Sequence, residues 1–203
     1  MRFGILVSGR GSNMRAILEA ISDGTLPAVA ALVLSNNPEA PALGVAQEHG
    51  VPTHTVDHRD FRKNRAAFER EIDVALRSHS VDLVVLAGFM RLLSADFVRK
   101  WPEKIINIHP SLLPDFPGLH APRQALKAGA ETSGCTVHYV DEGMDTGAII
   151  AQAEVPVLAN DTEETLAARI LGEEHRLLTT TLRQLCEAGA KSTNSGAPGG
   201  QRA

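Results

Sequence analysis

Short apolar segments alternate with stretches of helical periodicity along most of the 203-residue chain, and this alternation constrains its fold more than any other feature. Residues 3–7 and 81–87 are largely apolar, as expected of strands that are covered on both faces. Strands separated by helices in the first half indicate βαβ units and a parallel sheet. Residues 135–140 and 148–157 have strand character and are joined by an acidic turn. We therefore predict an α/β fold, a mostly parallel sheet flanked by helices with later antiparallel strands.

Composition and charge argue against several classes of protein. The chain has 20 basic and 24 acidic side chains, a net charge of −4, which argues against a general nucleic-acid binder. The two cysteines have neither metal-ligand spacing nor the pattern of a disulfide framework. The N-terminal apolar run is too short for a signal peptide or a membrane span. We expect a cytoplasmic protein with one domain at residues 1–189, whose last helix runs from about Glu163 to Glu187. The remaining residues 190–203 are poor in apolar residues, and we expect them to form a disordered tail.

Ligands of such sheets bind at the carboxyl ends of the strands, so the segments after the first, fourth and fifth predicted strands are the places to look. The first of them contains Gly9, Gly11, Ser12 and Asn13. Glycines there allow close backbone approach, and the helix that follows favours an anion at its N-terminus. A third glycine of the dinucleotide fingerprint is absent, because position 14 is Met. The pattern fits a single phosphate, and equally a tight turn with Ser12 or Asn13 as helix cap.

Asn107 and His109 end the fifth predicted strand and are two residues apart, so both side chains face the same way. An amide can donate a hydrogen bond to a developing oxyanion, and an imidazole can move protons near neutral pH. The pair therefore suits acyl-type transfer, although a structural histidine remains the alternative. Asp145, in the glycine-flanked acidic turn, is a candidate to orient His109 if that turn folds over the sheet edge; otherwise the turn is a polar loop.

Four segments, taken together and in order, resemble the glycinamide ribonucleotide formyltransferases. They read Ser8-Gly-Arg-Gly-Ser-Asn13, Leu86-Ala-Gly-Phe-Met-Arg91 with Leu92-Leu93-Ser94, Asn107-Ile-His-Pro-Ser-Leu-Leu-Pro114 with Phe116-Pro-Gly-Leu-His120, and Gly134-Cys-Thr-Val-His-Tyr-Val-Asp-Glu-Gly-Met-Asp-Thr-Gly147. The resemblance implies a Rossmann-like formyltransferase fold. It also implies transfer of the formyl group of 10-formyltetrahydrofolate to the amino group of glycinamide ribonucleotide in purine biosynthesis, as a monomer or homodimer.

The resemblance also implies roles for individual residues. The catalytic set would be Asn107, His109 and Asp145, acting through a tetrahedral intermediate with neither a metal nor a covalent enzyme intermediate. Ribonucleotide binding would fall to Gly11, Ser12, Asn13 and Glu174, and reduced-folate binding to Arg65, Met90, Arg91, Leu93, Val140 and Asp141. Position 122 is Pro where some relatives carry histidine, which leaves substrate contacts open in the long loop that we expect at residues 109–122.

Several other functions remain to be distinguished. A 10-formyltetrahydrofolate hydrolase has the same polar residues with water as acceptor, but usually an additional N-terminal regulatory domain. Methionyl-tRNA formyltransferases are longer and carry a C-terminal RNA-binding domain. A nicotinamide-dependent oxidoreductase is disfavoured by Met14, and a non-catalytic nucleotide or folate sensor by the presence of all three polar catalytic residue types.

Overall fold

The computed structural model describes residues 1–62 and 64–194, with side chains through residue 190. That part of the chain contains seven strands: β1 Arg2–Val7, β2 Val29–Ser35, β3 Thr53–Thr55, β4 Leu83–Leu86, β5 Ile105–His109, β6 Thr132–Tyr139 and β7 Ile149–Pro156. It also contains six helices: α1 Ser12–Ser22, α2 Pro41–Glu48, α3 Arg65–Ser78, α4 Ala95–Arg99, α5 Ala121–Ala128 and α6 Glu163–Asn194. None of these helices is both long and apolar enough to cross a membrane.

All seven strands form one sheet in the order β3-β2-β1-β4-β5-β6-β7. The first five strands run parallel, whereas β6 and β7 are antiparallel to their neighbours. This arrangement confirms the predicted fold class. The strand order reverses between β1 and β4, so the carboxyl ends of β1, β4 and β5 lie side by side at one edge of the sheet.

Helices cover both faces of the sheet because successive strand residues point to opposite sides. In β1, Phe3, Ile5 and Val7 pack into one core while Leu6 packs into the other. The first core is closed by α1, α2, α5 and α6, and the second by α3 and α4. Both sides of the central strands are therefore dry, which explains their nearly continuous apolar sequences.

Two sequence predictions about helix starts were wrong. We expected Ser12 or Asn13 to cap α1, but the N-cap is Gly11 at φ 73°, and both polar residues lie in the first turn. A Cβ at position 11 would lie 2.6 Å from the Cβ of Ala42, so this turn needs glycine for close approach as well as for its φ. We also expected a loop through Pro122, but α5 begins at Ala121, because a proline in the first turn loses no helical hydrogen bond.

The last helix extends further than the sequence pattern indicates. We expected it to end near Glu187, whereas α6 continues to Asn194. Residues 195–203 of the expected tail lie outside the described residues.

Both cysteines are free and buried in the core between the sheet and α6. Cys135 lies on β6 and Cys186 on α6. Burial raises the pKa of the Cys135 thiol to about 12, and it also raises the pKa of Cys186. The two thiols therefore act as small apolar groups at neutral pH.

The pairing of β6 with β7 should be intolerant of a side chain at position 134. A Cβ on Gly134 would overlap the carbonyl oxygen of Ala153 and lie 2.7 Å from Cδ2 of Leu112. We expect Gly134→Ala to lower the free energy of unfolding by about 1–3 kcal/mol. Gly172→Ala is the matched control, because that position is an exposed site in α6 with nothing near the added methyl group. It should raise stability by roughly 0.5–1 kcal/mol. Urea denaturation of both variants measures the difference, and equal effects would contradict this account of the strand pairing.

Candidate active site

The end of β5 supplies the two polar groups on which the site is built. Asn107 and His109 point to the face of β5 opposite Ile106 and Ile108, which pack in the core beneath α6. Asn107 is partly exposed, while His109 is only 5% exposed. The same alternation that buries the isoleucines therefore presents an amide and an imidazole together at the carboxyl edge of the sheet.

Both ring nitrogens of His109 have protein partners. Its Nε2 lies 3.1 Å from the carbonyl oxygen of Phe116, and because a carbonyl only accepts, Nε2 carries a proton. Its Nδ1 lies 3.4 Å from Oδ2 of Asp145. The same carboxylate oxygen accepts a hydrogen bond from the backbone N–H of Gly118 at 2.8 Å. The acidic turn thus folds over the sheet edge and brings its carboxylate to the imidazole.

A second histidine, which sequence reasoning did not single out, completes this cluster. His138 on β6 is the direct cross-strand partner of Asn107. Its Nε2 lies 3.2 Å from Nδ2 of Asn107 and 3.7 Å from Oδ1 of Asp145. The side chain is 2% exposed, and burial holds its pKa below the usual value. Its position just before the acidic turn was the only signal available, since the register of β5 and β6 cannot be read from either strand alone.

A cleft of about 90 Å³ lies against this cluster. Its walls are formed by Leu86, Phe89, Arg91, Leu92, Leu93, Asn107, His138, Val140, Asp141, Gly143 and Asp145. Four of the residues expected at the folate site therefore line one cavity: Arg91, Leu93, Val140 and Asp141. Met90 lies outside that wall, with a side chain 62% exposed and a backbone N–H that donates to Oγ of Ser8 at 2.7 Å.

Arg65 lies behind the cleft wall and is held in place by two acceptors. Its Nε donates to Oε1 of Glu69 at 3.0 Å, and its Nη2 donates to the carbonyl oxygen of Leu92 at 2.6 Å. Glu69 is buried and also accepts hydrogen bonds from the backbone N–H and the hydroxyl of Ser94. This network joins α3 to the segment that lines the cleft, and it leaves the Arg65 side chain half exposed.

The loop after β1 meets α6 through a buried polar pair. Nδ2 of Asn13 donates to Oε2 of Glu174 at 3.1 Å, and both side chains are more than nine-tenths buried. Burial raises the pKa of Glu174, and the hydrogen bond from Asn13 opposes that rise. Oδ1 of Asn13 is buried and has no partner within the described part of the chain. Gly11, Asn13 and Glu174 are thus brought together, and an acceptor remains that needs a donor.

A larger cleft, of about 340 Å³, lies along the outer side of α1. It is lined by Arg10, Ser12, Arg15, Ala16, Glu19, Pro41, Val45 and His175. Ser12 is the one residue of the predicted phosphate-binding set in this wall. Two arginines beside a helix N-terminus favour an anion, and the sequence analysis did not assign either of them. Arg10 lies just before the Gly11 N-cap and Arg15 lies three residues after Ser12 on α1, and these positions are the signal that could have identified this surface.

Comparison with known proteins gives a consistent result. Residues 1–182 match the family described as formyl transferase. The chain is 43% identical to phosphoribosylglycinamide formyltransferase of Bacillus subtilis over 184 residues, covering 91% of this chain and 94% of that protein. The structure superposes on glycinamide ribonucleotide transformylase 1 from Symbiobacterium toebii with a TM-score of 0.90 at 45% identity, covering 93% and 88% of the two chains.

Longer proteins contain a segment that is similar to this chain. The chain is 49% identical over 176 residues to the trifunctional purine biosynthetic protein adenosine-3 of Drosophila melanogaster. That match covers 86% of this chain and 13% of the relative, so the chain spans about one eighth of that protein's length. The extent of the family match and the identities to these relatives show that the chain belongs to the formyl transferase family.

Proposed function

We propose that this protein transfers the formyl group of 10-formyltetrahydrofolate to the amino group of glycinamide ribonucleotide, a step of purine biosynthesis. The observation that carries the proposal is the joint placement of Asn107, His109 and Asp145 at one point beside a cleft. Family membership and the names of the Bacillus and Symbiobacterium relatives support the same activity. We assign the activity to a domain at residues 1–189 of a cytoplasmic monomer or homodimer.

The smaller cleft fits the reduced folate. Leu86, Phe89, Leu93 and Val140 give it apolar walls, and its inner end is polar. A flat heteroaromatic ring with hydrogen-bonding edges needs this combination of apolar contact and a few polar groups. We assign Arg91 and Asp141 to hydrogen bonds with the ring edges, and Arg65 to the carboxylates of the glutamate tail. Met90 contributes through its backbone bond to Ser8, which holds the segment beside the cleft.

The loop at Gly11 to Asn13 fits the ribonucleotide. The N-terminus of α1 presents backbone N–H groups and the positive end of the helix dipole to a phosphate, and Ser12 adds a hydroxyl. Glu174 and the unpaired Oδ1 of Asn13 are two buried acceptors that ribose hydroxyls satisfy. The substrate amine is then directed from this loop towards the end of β5.

Asn107 and His109 act on the charge that develops during direct transfer. When the amine adds to the formyl carbon, the formyl oxygen becomes negative, and the N–H groups of Asn107 and His109 stabilise it. In this structure Nε2 of His109 donates to the carbonyl oxygen of Phe116. In the proposed complex the formyl oxygen takes the place of that carbonyl oxygen as the acceptor. Binding of the formyl group therefore requires the hydrogen bond between His109 and the Phe116 carbonyl oxygen to break.

Asp145 orients His109 and assists proton transfer between the substrates. Its Oδ2 lies 3.4 Å from Nδ1 of His109 and orients the imidazole towards the developing charge. The amine must lose a proton and the leaving folate nitrogen must gain one, and the carboxylate supports their exchange through a water molecule. The products are the formylated amine and the free folate, so atoms and charge balance without a metal or a covalent enzyme intermediate.

The proposed function is tested by following deformylation of 10-formyltetrahydrofolate with and without glycinamide ribonucleotide. We expect deformylation that depends on the ribonucleotide, and a formylated ribonucleotide as product. Deformylation without it would replace the proposal with a hydrolase. No reaction with folded protein would contradict both activities.

Removal of polar groups from the proposed catalytic set should abolish most activity while the fold is retained. We expect Asn107→Ala and Asp145→Ala each to lower kcat by about 10²–10³-fold, because each removes charge stabilisation that matters most in the transition state. Asp115→Ala is the matched control, since that carboxylate is exposed on the same loop that carries Phe116. Steady-state kinetics with circular dichroism separates activity from folding. Turnover near that of the control would remove either residue from the mechanism.

Glu174→Gln should weaken ribonucleotide binding and yet stabilise the protein above the folded-state pKa. Because burial raises the pKa of Glu174, its ionised form is disfavoured in the folded protein, so its contribution to stability falls as pH rises through that pKa. We expect a higher Tm for the variant at pH 8, by ~2 °C or more, and no gain at pH 4. The KM for the ribonucleotide should rise about tenfold. A variant that is equally stabilised at both pH values would contradict the burial argument.

A further inference from the structure

We propose that His138 is a positioning residue, which holds the carboxamide of Asn107 by accepting a hydrogen bond from it on Nε2. This inference rests on the proposed function, in which Asn107 stabilises the developing negative charge. It concerns a residue outside the set of Asn107, His109 and Asp145. The geometry of three atoms around the imidazole carries it.

The tautomer of His138 follows from its first partner. Nδ1 lies 2.8 Å from the carbonyl oxygen of Tyr139, and a carbonyl oxygen can only accept, so the proton is on Nδ1. In the neutral ring Nε2 is then a lone-pair acceptor. Nδ2 of Asn107, at 3.2 Å, is a donor within reach of that lone pair. Oδ1 of Asp145 lies farther away, at 3.7 Å, which is beyond hydrogen-bond distance.

Burial keeps the ring in the form that this bond requires. His138 is 2% exposed, and loss of hydration lowers its pKa. Asp145 and Asp141 from the acidic turn favour the charged ring, while His109 from β5 opposes it. A proton on Nε2 would set an N–H donor against the N–H donors of Asn107. The neutral ring is thus matched to the amide in front of it.

The bond fixes which edge of the Asn107 amide faces the cleft. A carboxamide can rotate by half a turn about its last bond, which exchanges its donor and acceptor ends. With one N–H of Nδ2 held by His138, the amide cannot exchange ends without losing that bond, and the second N–H remains free to donate. His109 has a separate support in Asp145. Each of the two groups that stabilise the formyl oxygen therefore has its own positioning partner.

Two substitutions at position 138 distinguish the role of His138 as a hydrogen-bond acceptor from its role in packing. His138→Leu fills the space but cannot accept, and we expect kcat to fall on the order of 10- to 100-fold with KM for both substrates within about twofold of the unmodified protein. His138→Gln offers a carbonyl acceptor near the position of Nε2 and should recover most of the lost kcat. In an Asn107→Ala background, His138→Leu should cause no further loss, because the histidine acts only through that amide.

An independent measurement does not depend on turnover. Nitrogen NMR of ¹⁵N-histidine-labelled protein at neutral pH should show His138 protonated on Nδ1 and unprotonated on Nε2, and the Nε2 signal should shift in Asn107→Ala. Protonation on Nε2 would overturn the inference, even where a position-138 variant fails to fold. Active protein whose kcat is unchanged by His138→Leu would also overturn it. Inactive wild-type protein with the expected tautomer would overturn the proposed function and leave the hydrogen bond in place.

Discussion

The carboxylate of Asp145 joins parts of the molecule that the sequence separates widely. It faces His109 on β5 and His138 on β6, and it accepts the backbone N–H of Gly118 from the loop that follows β5. Asp145 itself has φ 56°, a left-handed conformation that residues with a Cβ rarely adopt. These contacts offset the cost of that conformation, so the acidic turn and the proline-rich loop hold each other in position. The proposed chemistry depends on this junction, because it brings the carboxylate of the acidic turn to both imidazoles.

The energetic balance is different at the buried pair formed by Asn13 and Glu174. A carboxylate at 6% exposure with one hydrogen bond is a net cost to the folded protein, and burial accordingly raises its pKa. Such a group fits a role in binding better than a role in stability. Ribose hydroxyls would supply the missing donors, so the ligand would complete a polar cluster that the protein leaves incomplete.

Local patterns were sufficient for the architecture and for part of the site. Strand and helix alternation gave the sheet, and a spacing of two residues placed Asn107 and His109 on one face. The role of His138 could not be predicted in this way, because it depends on which residue of β6 faces Asn107, and that register is a long-range property of the sheet. The start of α5 was missed because Pro122 was taken as a loop residue when it lies in the first helical turn. We expected the side chain of Met90 to line the folate site with its neighbours, but it is 62% exposed and lies outside the cleft wall.

The burial of both cysteines has a practical consequence for experiments on the loops. Cys135 and Cys186 are the only thiols in the sequence, and their raised pKa values keep them protonated and slow to react with thiol-directed reagents. Thiol-directed labels should therefore react mainly with a cysteine introduced at an exposed position. A single cysteine introduced at Leu119, which is exposed beside the Gly118 that contacts Asp145, would carry a fluorescent or spin label without prior removal of native thiols. The environment of the loop around Gly118 could then be followed in solution as each substrate is added.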